Sequence, residues 1–219
     1  EGIISQWQQV IVIFSVLSMF IGAIGALVQV NIKRLMAYSS IANMGFALVA
    51  LSAGTETGVK GMLIFMSIYV VSVIGIFACI LQMRIRDGMV ENINDLAGLS
   101  STNRSLAVVL TIFMFSIMGI PPLLGFFGKF FAFIPAIDAG MVWLVVLALI
   151  ASVIGAFYYL RIIRLMYFQE ADAPLDKGGE RNNRLVLFAS LAVILLFFLF
   201  IGPVHDHASS ISGALASFS

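Results

Sequence analysis

The 219-residue chain is 61% hydrophobic and only 11% charged, and its mean hydropathy is +1.09. Soluble domains are about a quarter charged, so this chain has too few polar groups to cover a water-facing surface. The net charge of +1 excludes a broad basic surface for nucleic acid. The single cysteine, Cys79, excludes a disulfide framework and a thiolate metal site. The composition predicts an integral membrane protein with lipid around most of its surface.

Charged residues divide the chain into six apolar segments, each long enough to cross a hydrocarbon core of about 30 Å, which takes about 20 residues. Long runs without alternation indicate helices and not a barrel. We therefore predict an all-α integral membrane fold with six transmembrane helices over residues 7–29, 35–53, 61–83, 105–135, 141–168 and 185–202. The first segment lacks the basic leader of a signal peptide. We expect the chain to be part of something longer.

The positive charges are distributed very unevenly between the ends of these segments. Ten of the twelve Lys and Arg residues lie at or after the C-terminal ends of the odd-numbered segments: Lys33, Arg34, Arg84, Arg86, Arg104, Arg161, Arg164, Lys177, Arg181 and Arg184. Because cytoplasmic loops carry an excess of Lys and Arg, we predict that segments 84–104 and 169–184 are cytoplasmic and that both termini lie on the outer side. Labelling a cysteine placed at Lys177 from each side of the membrane checks this topology. Labelling only from the outer face would contradict it.

The fourth segment is unusual because it is too long and contains helix breakers. As one straight helix, residues 105–137 would extend about 50 Å. The segment includes Gly119, Pro121, Pro122 and Gly125, and Pro121 removes the helical partner of the Ile117 carbonyl. A helix broken in mid-membrane is tolerated only beside protein or a water-filled cavity. We predict an interruption between about residues 119 and 125, of the kind found at transport sites.

Lys129 lies about one turn into the second half of this broken segment. An ammonium group at the bilayer centre costs on the order of 3 kcal/mol. Burial and the positive end of the following half-helix both disfavour the charged form, which suits a group that releases and regains a proton. The alternative is that Lys129 snorkels to the interface, since Asp138 is nine residues away. The broken helix favours the functional interpretation.

Three other positions carry weaker signals. Lys33 shares a helical face with Ser40 and Asn43, so it is either a positive-inside anchor or part of a proton pathway. Tyr69 either hydrogen-bonds to another helix or lines a hydrated path. Residues 155–161 combine small residues, aromatic residues and an arginine, which is typical of a membrane interface, and we assign them no chemistry. No metal site is expected, because His205, Asp206 and His207 read as a solvated tail.

Three strings carry a family resemblance: NIKRLMAYSSIANMGF at 31–46, GIPPLLGFFGKFF at 119–131 and GAFYYLRIIRLMYF at 155–168. They resemble the antiporter-like subunit N family of respiratory complex I, the NADH:quinone oxidoreductase, whose mitochondrial counterpart is subunit 2. The likeness runs through essentially the whole chain and matches the C-terminal half of that family. It implies that residues 1–168 are the second inverted five-helix repeat. Residues 169–184 are then a cytoplasmic loop, and 185–219 the last transmembrane helix with a short tail.

The same resemblance assigns roles to individual residues. Lys129 matches the lysine of the family's broken twelfth helix, and it is expected to be the proton carrier. Tyr69 stands where the sister subunits L and M carry a histidine, which favours subunit N and makes Tyr69 a pathway residue. Lys33 is a lesser pathway candidate. The family's input-side charged groups lie before Glu1, so this chain is expected to hold only the outlet side of a relay.

The resemblance thus implies a proton-translocating, non-redox membrane subunit of the translocase NADH:quinone oxidoreductase, in the bacterial plasma (inner) membrane. No cofactor is expected in this chain. NADH, FMN, iron–sulfur clusters and quinone of the electron transport chain are expected on other subunits. The expected partners are other membrane and peripheral complex I subunits, the missing N-terminal half and lipid, with no nucleic acid. The alternatives are a subunit of a Mrp-type cation/proton antiporter and a purely structural scaffold with an inert Lys129.

Overall fold

Helices make up most of the computed structural model, which describes residues 2–85, 88–170 and 181–196. They are α1 (Gly2–Leu27), α2 (Ile32–Ser52), α3 (Glu56–Gln82), α4 (Leu99–Thr102), α5 (Arg104–Met118), α6 (Leu124–Asp138), α7 (Val142–Phe168) and α8 (Arg181–Leu196). The strands β1 (Arg84–Ile85) and β2 (Gly88–Met89) form a short antiparallel hairpin. The predicted helical membrane fold is confirmed. Most of the predicted 169–184 loop, the end of the sixth segment and the tail with its histidines lie outside the described residues.

Four helices of the described chain are individually long and apolar enough to cross a membrane: α1 from Trp7, α2, α3 and α7. The apolar helix α5 and the apolar part of α8, Leu187–Leu196, are shorter. The sixth predicted segment continues past Leu196, beyond the described residues. The count of six spans therefore stays a prediction.

Side-chain caps make two helices begin earlier than their apolar segments. The Asn31 side chain accepts a hydrogen bond from the backbone N–H of Arg34 at 3.1 Å, and α2 begins at Ile32, not at residue 35. The Thr55 hydroxyl accepts from the N–H of Gly58 at 3.1 Å, and α3 begins at Glu56, not at residue 61. These caps satisfy free N–H groups in the first turn, so the helices extend through polar residues that hydropathy excludes.

Helices α1 and α2 pack closely through glycines. A Cβ atom added to Gly22 would lie 2.7 Å from the Tyr38 carbonyl oxygen, and one added to Gly45 would lie 2.8 Å from the Met19 nitrogen. Such contacts let two backbones approach, as small residues do in membrane helix pairs. The backbones of α1 and α2 are therefore in close contact at these positions.

The connection between α3 and α5 folds over one end of the bundle. The N–H of Ile93 donates to the Val30 carbonyl, and the N–H of Ile32 donates to the Glu91 carbonyl, both at 2.8 Å. The guanidinium of Arg161 donates to the carbonyls of Leu27 and Gln29, each at 3.4 Å, where α1 ends. We call this end the basic end, because it carries Lys33, Arg34, Arg104, Arg161 and Arg164. The opposite end, with Ser52, Glu56 and Asp138, is the Asp138 end.

The fourth predicted segment is broken as expected. Helix α5 ends at Met118, Gly119 has a left-handed φ of +93°, and α6 begins at Leu124. The N–H of Gly119 donates to the Phe115 and Ser116 carbonyls at 3.2 and 3.0 Å, which closes the end of α5. The half-helices then meet again, because the N–H of Gly125 donates to the Ser116 hydroxyl at 3.2 Å. The predicted interruption between residues 119 and 125 is confirmed.

Candidate functional site

Lys129 reaches back across the break toward α5. Its Nζ donates to the Met118 carbonyl at 2.8 Å and to the Ser152 hydroxyl of α7 at 2.7 Å. It also lies 4.9 Å from the centroid of the Phe46 ring of α2, within the range of a cation–π contact. The side chain is partly buried, and both hydrogen bonds are directed into the protein. This geometry favours a functional site inside the protein over a lysine that snorkels to the membrane interface.

Two helix ends act on the Lys129 ammonium with opposite signs. The positive N-terminal end of α6 lies about one turn away and disfavours the charged form, as the sequence predicts. The Met118 carbonyl, however, belongs to the last turn of α5, the negative end of that helix. A prediction that considers only the effect of α6 on the charged form of Lys129 is therefore incomplete. The sequence does not show that Nζ contacts the end of the preceding half-helix.

A small cavity lies beside the amine. Its volume of about 10 Å³ is close to the minimum that holds one water molecule. It lies between helices α2, α5, α6 and α7. The lining residues include Asn43, Phe46, Ile117, Lys129, Ser152 and Tyr158, together with Tyr159. The site can therefore place one water beside the amine, among hydroxyl and amide groups that exchange hydrogen bonds with it.

Polar side chains continue from this cavity toward the basic end. The Tyr159 and Ser39 hydroxyls are in hydrogen-bond contact, and both residues are buried. The Asn43 amide donates to the Ser39 carbonyl at 2.9 Å and approaches its hydroxyl at 3.4 Å. The rings of Tyr158 and Tyr159 lie 4.5 Å apart between centroids. We call Ser39, Asn43, Tyr158 and Tyr159 the hydroxyl row, and it connects the Lys129 cavity to the interior of α2 and α7.

Tyr69 lies at the edge of this row. Its side chain is 8% exposed and sits beside Ser40 and Tyr158. Its hydroxyl has no partner at hydrogen-bonding geometry among the described residues. A buried hydroxyl without a partner is costly, so this atom is a natural contact for a water molecule. The structure thus brings Tyr69 next to the hydroxyl row but into no direct contact with Lys129.

Lys33 lies apart from the other candidates, at the basic end. Its Nζ forms an ion pair with Glu91 at 3.3 Å, and the two side chains are 35% and 63% exposed. Lys33 does not line the cavity beside Lys129. A pair this exposed contributes about 0–1 kcal/mol, which fits the anchor interpretation better than the pathway one.

Three residues of this site, Ser152, Tyr158 and Tyr159, are not among the sequence candidates. Residues 155–161 had been assigned no chemistry, yet Tyr158 and Tyr159 are each only 2% exposed and line the cavity. The sequence signal that could have identified these residues is their spacing, since Ser152 and Tyr159 are seven residues apart and share a face of α7. The same spacing had singled out Lys33 and Ser40.

Metal-ligating groups are sparse in the part of the chain that the structure describes. It contains no group of three His, Cys, Asp or Glu side chains that could hold an ion. Cys79 is a free thiol, buried among apolar residues.

The described part of the chain is a membrane helix bundle with a lysine at a helix break, and the comparisons give its family. The chain belongs to the NADH:quinone oxidoreductase/Mrp antiporter transmembrane family, whose model matches residues 2–155. It is 50% identical to NADH-quinone oxidoreductase subunit N of Rhodospirillum rubrum over 96% of the chain and 43% of that protein. The expected resemblance to subunit N is confirmed. The chain is thus a multi-pass membrane protein of bacterial inner-membrane type.

Solved structures show the same fold. A chain of respiratory complex I from Thermus thermophilus with bound aureothin superposes with a TM-score of 0.78 at 30% identity, covering 90% of this chain and 45% of that one. The Mrp complex from Dietzia sp. DQ12-45-1b superposes with a TM-score of 0.78 at 20% identity, covering 94% and 47%. The second match shows the fold alone. This chain spans less than half the length of these proteins.

Proposed function

We propose that this chain belongs to a proton-translocating, non-redox membrane subunit of NADH:quinone oxidoreductase, in which Lys129 carries the proton. The observation that supports the proposal most is the position of the Lys129 amine. It lies at a helix break, hydrogen-bonded to the Met118 carbonyl and the Ser152 hydroxyl beside a cavity that can hold one water. An ionisable group inside a membrane span is costly and is kept for function.

The residues around Lys129 have the chemistry that a proton relay needs. Lysine exchanges a proton between its ammonium and amine forms, and hydroxyls both donate and accept hydrogen bonds. Ser39 and Tyr159, already in contact, can pass a proton between their oxygens. Tyr69 adds a hydroxyl beside this row, whereas Lys33 remains the weaker pathway candidate. We propose that the chain holds the outlet side of the relay.

The remaining parts of the proposal concern the assembly. NADH, FMN, iron–sulfur clusters and quinone belong to other subunits of the complex, and this subunit contributes to the enzyme only by moving protons. Its partners are other membrane and peripheral subunits of the complex, the N-terminal half that its relatives carry, and lipid. The basic end faces the cytoplasm and both termini of this chain the outer side, as the distribution of Lys and Arg indicates.

Affinity purification of the complete protein from its native membrane tests the assembly. We expect a tag on it to co-purify an NADH-oxidising complex that contains flavin and iron–sulfur clusters. A Mrp-type antiporter would instead yield membrane subunits without redox groups, and that outcome would contradict the proposal. The 50% identity to a subunit N over 96% of the chain favours the first result.

Replacing Tyr159 by Phe tests the hydroxyl row. The change keeps the ring and removes the oxygen that contacts Ser39, so we expect proton pumping to fall about fivefold, which corresponds to about 1 kcal/mol, the usual value of one hydrogen bond. Tyr167→Phe is the matched control, because Tyr167 is on the same helix and is exposed. Pumping is measured by dye quenching in vesicles with equal complex content. Equal rates for the two variants would exclude Tyr159 from the relay.

A further inference from the structure

Three phenylalanines form a layer next to the polar groups of the site. Phe46 follows Asn43 by three residues in α2, Phe133 follows Lys129 by four in α6, and Phe65 precedes Tyr69 by four in α3. Each phenylalanine therefore lies about one helical turn from a polar residue of the same helix.

The three offsets point to the same end of the bundle. Helices α2 and α6 run toward the Asp138 end, whereas α3 starts there and runs away from it. An earlier residue in α3 therefore lies closer to the Asp138 end, as does a later residue in α2 or α6. Contacts confirm this alignment, since Gly58 of α3 packs on the Ala50 carbonyl of α2, and Gly61 packs on the Phe131 carbonyl of α6. The aromatic layer thus lies on the Asp138 side of the polar layer.

The three rings are in contact through Phe46. The Phe46 ring meets the Phe65 ring edge-to-face with centroids 6.5 Å apart, and the Phe133 ring at 5.9 Å. All three side chains are buried, with exposures of 3%, 3% and 7%. Phe46, at the centre, is also the ring against which the Lys129 amine lies.

Beyond the rings, α2, α3 and α6 contribute apolar side chains to the interior. Val49, Ile64 and Ala136 are buried there. The next polar side chain on α2 is Ser52, six residues after Phe46, or about 9 Å along the helix. On the other side of the layer, the hydroxyl row continues toward the basic end. The polar interior is therefore asymmetric about Lys129.

We propose that Phe46, Phe65 and Phe133 form a gate that closes the Lys129 cavity toward the Asp138 end. Hydrophobic constrictions gate ion and water passage by staying dry. A proton that leaves Lys129 toward this end crosses only when the rings separate and water enters. Phe46 couples this gate to the proton carrier because it contacts both. The inference rests on the proposed role of Lys129 in proton transfer.

Thiol labelling tests the gate without relying on pumping. The complete protein carries Lys129→Cys, with Cys79 and any cysteine outside this chain replaced by Ala, and a membrane-impermeant thiol reagent is added from the side of Asp138. With the rings intact we expect almost no labelling. Adding Phe133→Ala is expected to raise the labelling rate severalfold. Phe130→Ala is the matched control, because Phe130 is on the same helix but 49% exposed, and it should leave the rate unchanged.

Pumping measurements on the otherwise native protein complete the test. Phe133→Ala and Phe65→Ala are expected to lower the proton gradient reached per NADH severalfold, because an open gate lets protons return. If Phe133→Ala does not assemble, Phe133→Val provides a smaller opening for both assays. Rapid labelling with all rings intact, or no increase in Phe133→Ala and Phe133→Val, would overturn the gate. Wild-type pumping by Lys129→Ala would instead overturn the proposed function and leave the labelling result valid.

Discussion

Replacing Lys129 by Ala is expected to remove the pumping contribution of this subunit. The change deletes the amine that contacts Met118 and Ser152, and methyl groups cannot carry a proton. We expect coupled quinone reduction and proton pumping to fall about tenfold or more, since a positioned proton-transfer group typically contributes about a hundredfold. NADH oxidation by the peripheral arm should persist, because that reaction does not pass through the membrane site.

Lys129→Arg separates charge from proton exchange. It keeps a cation that can donate hydrogen bonds, but a guanidinium does not release its proton. We therefore expect it to be nearly as harmful as Lys129→Ala. A variant that pumped normally with Arg would show that only the charge matters.

Lys33→Ala is the control for loss of a lysine. The ion pair of Lys33 with Glu91 is partly exposed and contributes little, so the variant should pump far better than Lys129→Ala. The measurement is protons pumped per NADH in membranes with equal complex content. If Lys129→Ala pumps like the unmodified protein, the lysine is structural and the scaffold interpretation gains support.

Gly125→Ala is expected to have the second large effect. A Cβ at this position would overlap the Ser116 carbonyl oxygen and lie 2.6 Å from the Ser116 carbonyl carbon. These are backbone atoms, so one half-helix would have to move, at a cost of about 1–3 kcal/mol. The movement would also stretch the hydrogen bond from the Gly125 N–H to the Ser116 hydroxyl. We expect less assembled complex and reduced pumping in what remains.

Gly128→Ala is the matched control on the same half-helix. Its Cβ would meet the side chains of Ile68 and Phe65 at 3.4 Å, which is close to ordinary contact. Alanine also favours a helix interior over glycine by about 0.5–1 kcal/mol. The amount of assembled complex after detergent extraction and heating compares the two variants. Equal stability would contradict the close contact at the break.

The positions of the helices could be predicted because bilayer thickness sets the length of each apolar run. The break could be predicted as well, since two adjacent prolines cannot continue a helix. The start of α2 could not, because hydropathy ignores the cap that Asn31 provides. The resemblance to subunit N further predicts a role for Lys129, which composition alone leaves open between a functional site and an interface anchor.

The partners of Lys129 could not be predicted, since they depend on how neighbouring helices are rotated and tilted. Ser152 is 23 residues away in sequence and on another helix. The tyrosine pair was interpreted as part of an interface because small residues, aromatic residues and an arginine stand together at 155–161. Helix α7 extends to Phe168, as predicted, so Tyr158 and Tyr159 lie more than two turns inside it and line the cavity.

The hydrogen bond from Lys129 to the Met118 carbonyl couples the protonation of Lys129 to the geometry of the helix break. A bond from a charged donor is worth about 1.5–3 kcal/mol, and one from a neutral donor about 0.5–1.5 kcal/mol. Losing the proton therefore loosens the tie between α6 and the end of α5. Thermodynamic reciprocity then requires the converse: any partner or strain that displaces residues 119–123 changes how firmly Lys129 keeps its proton.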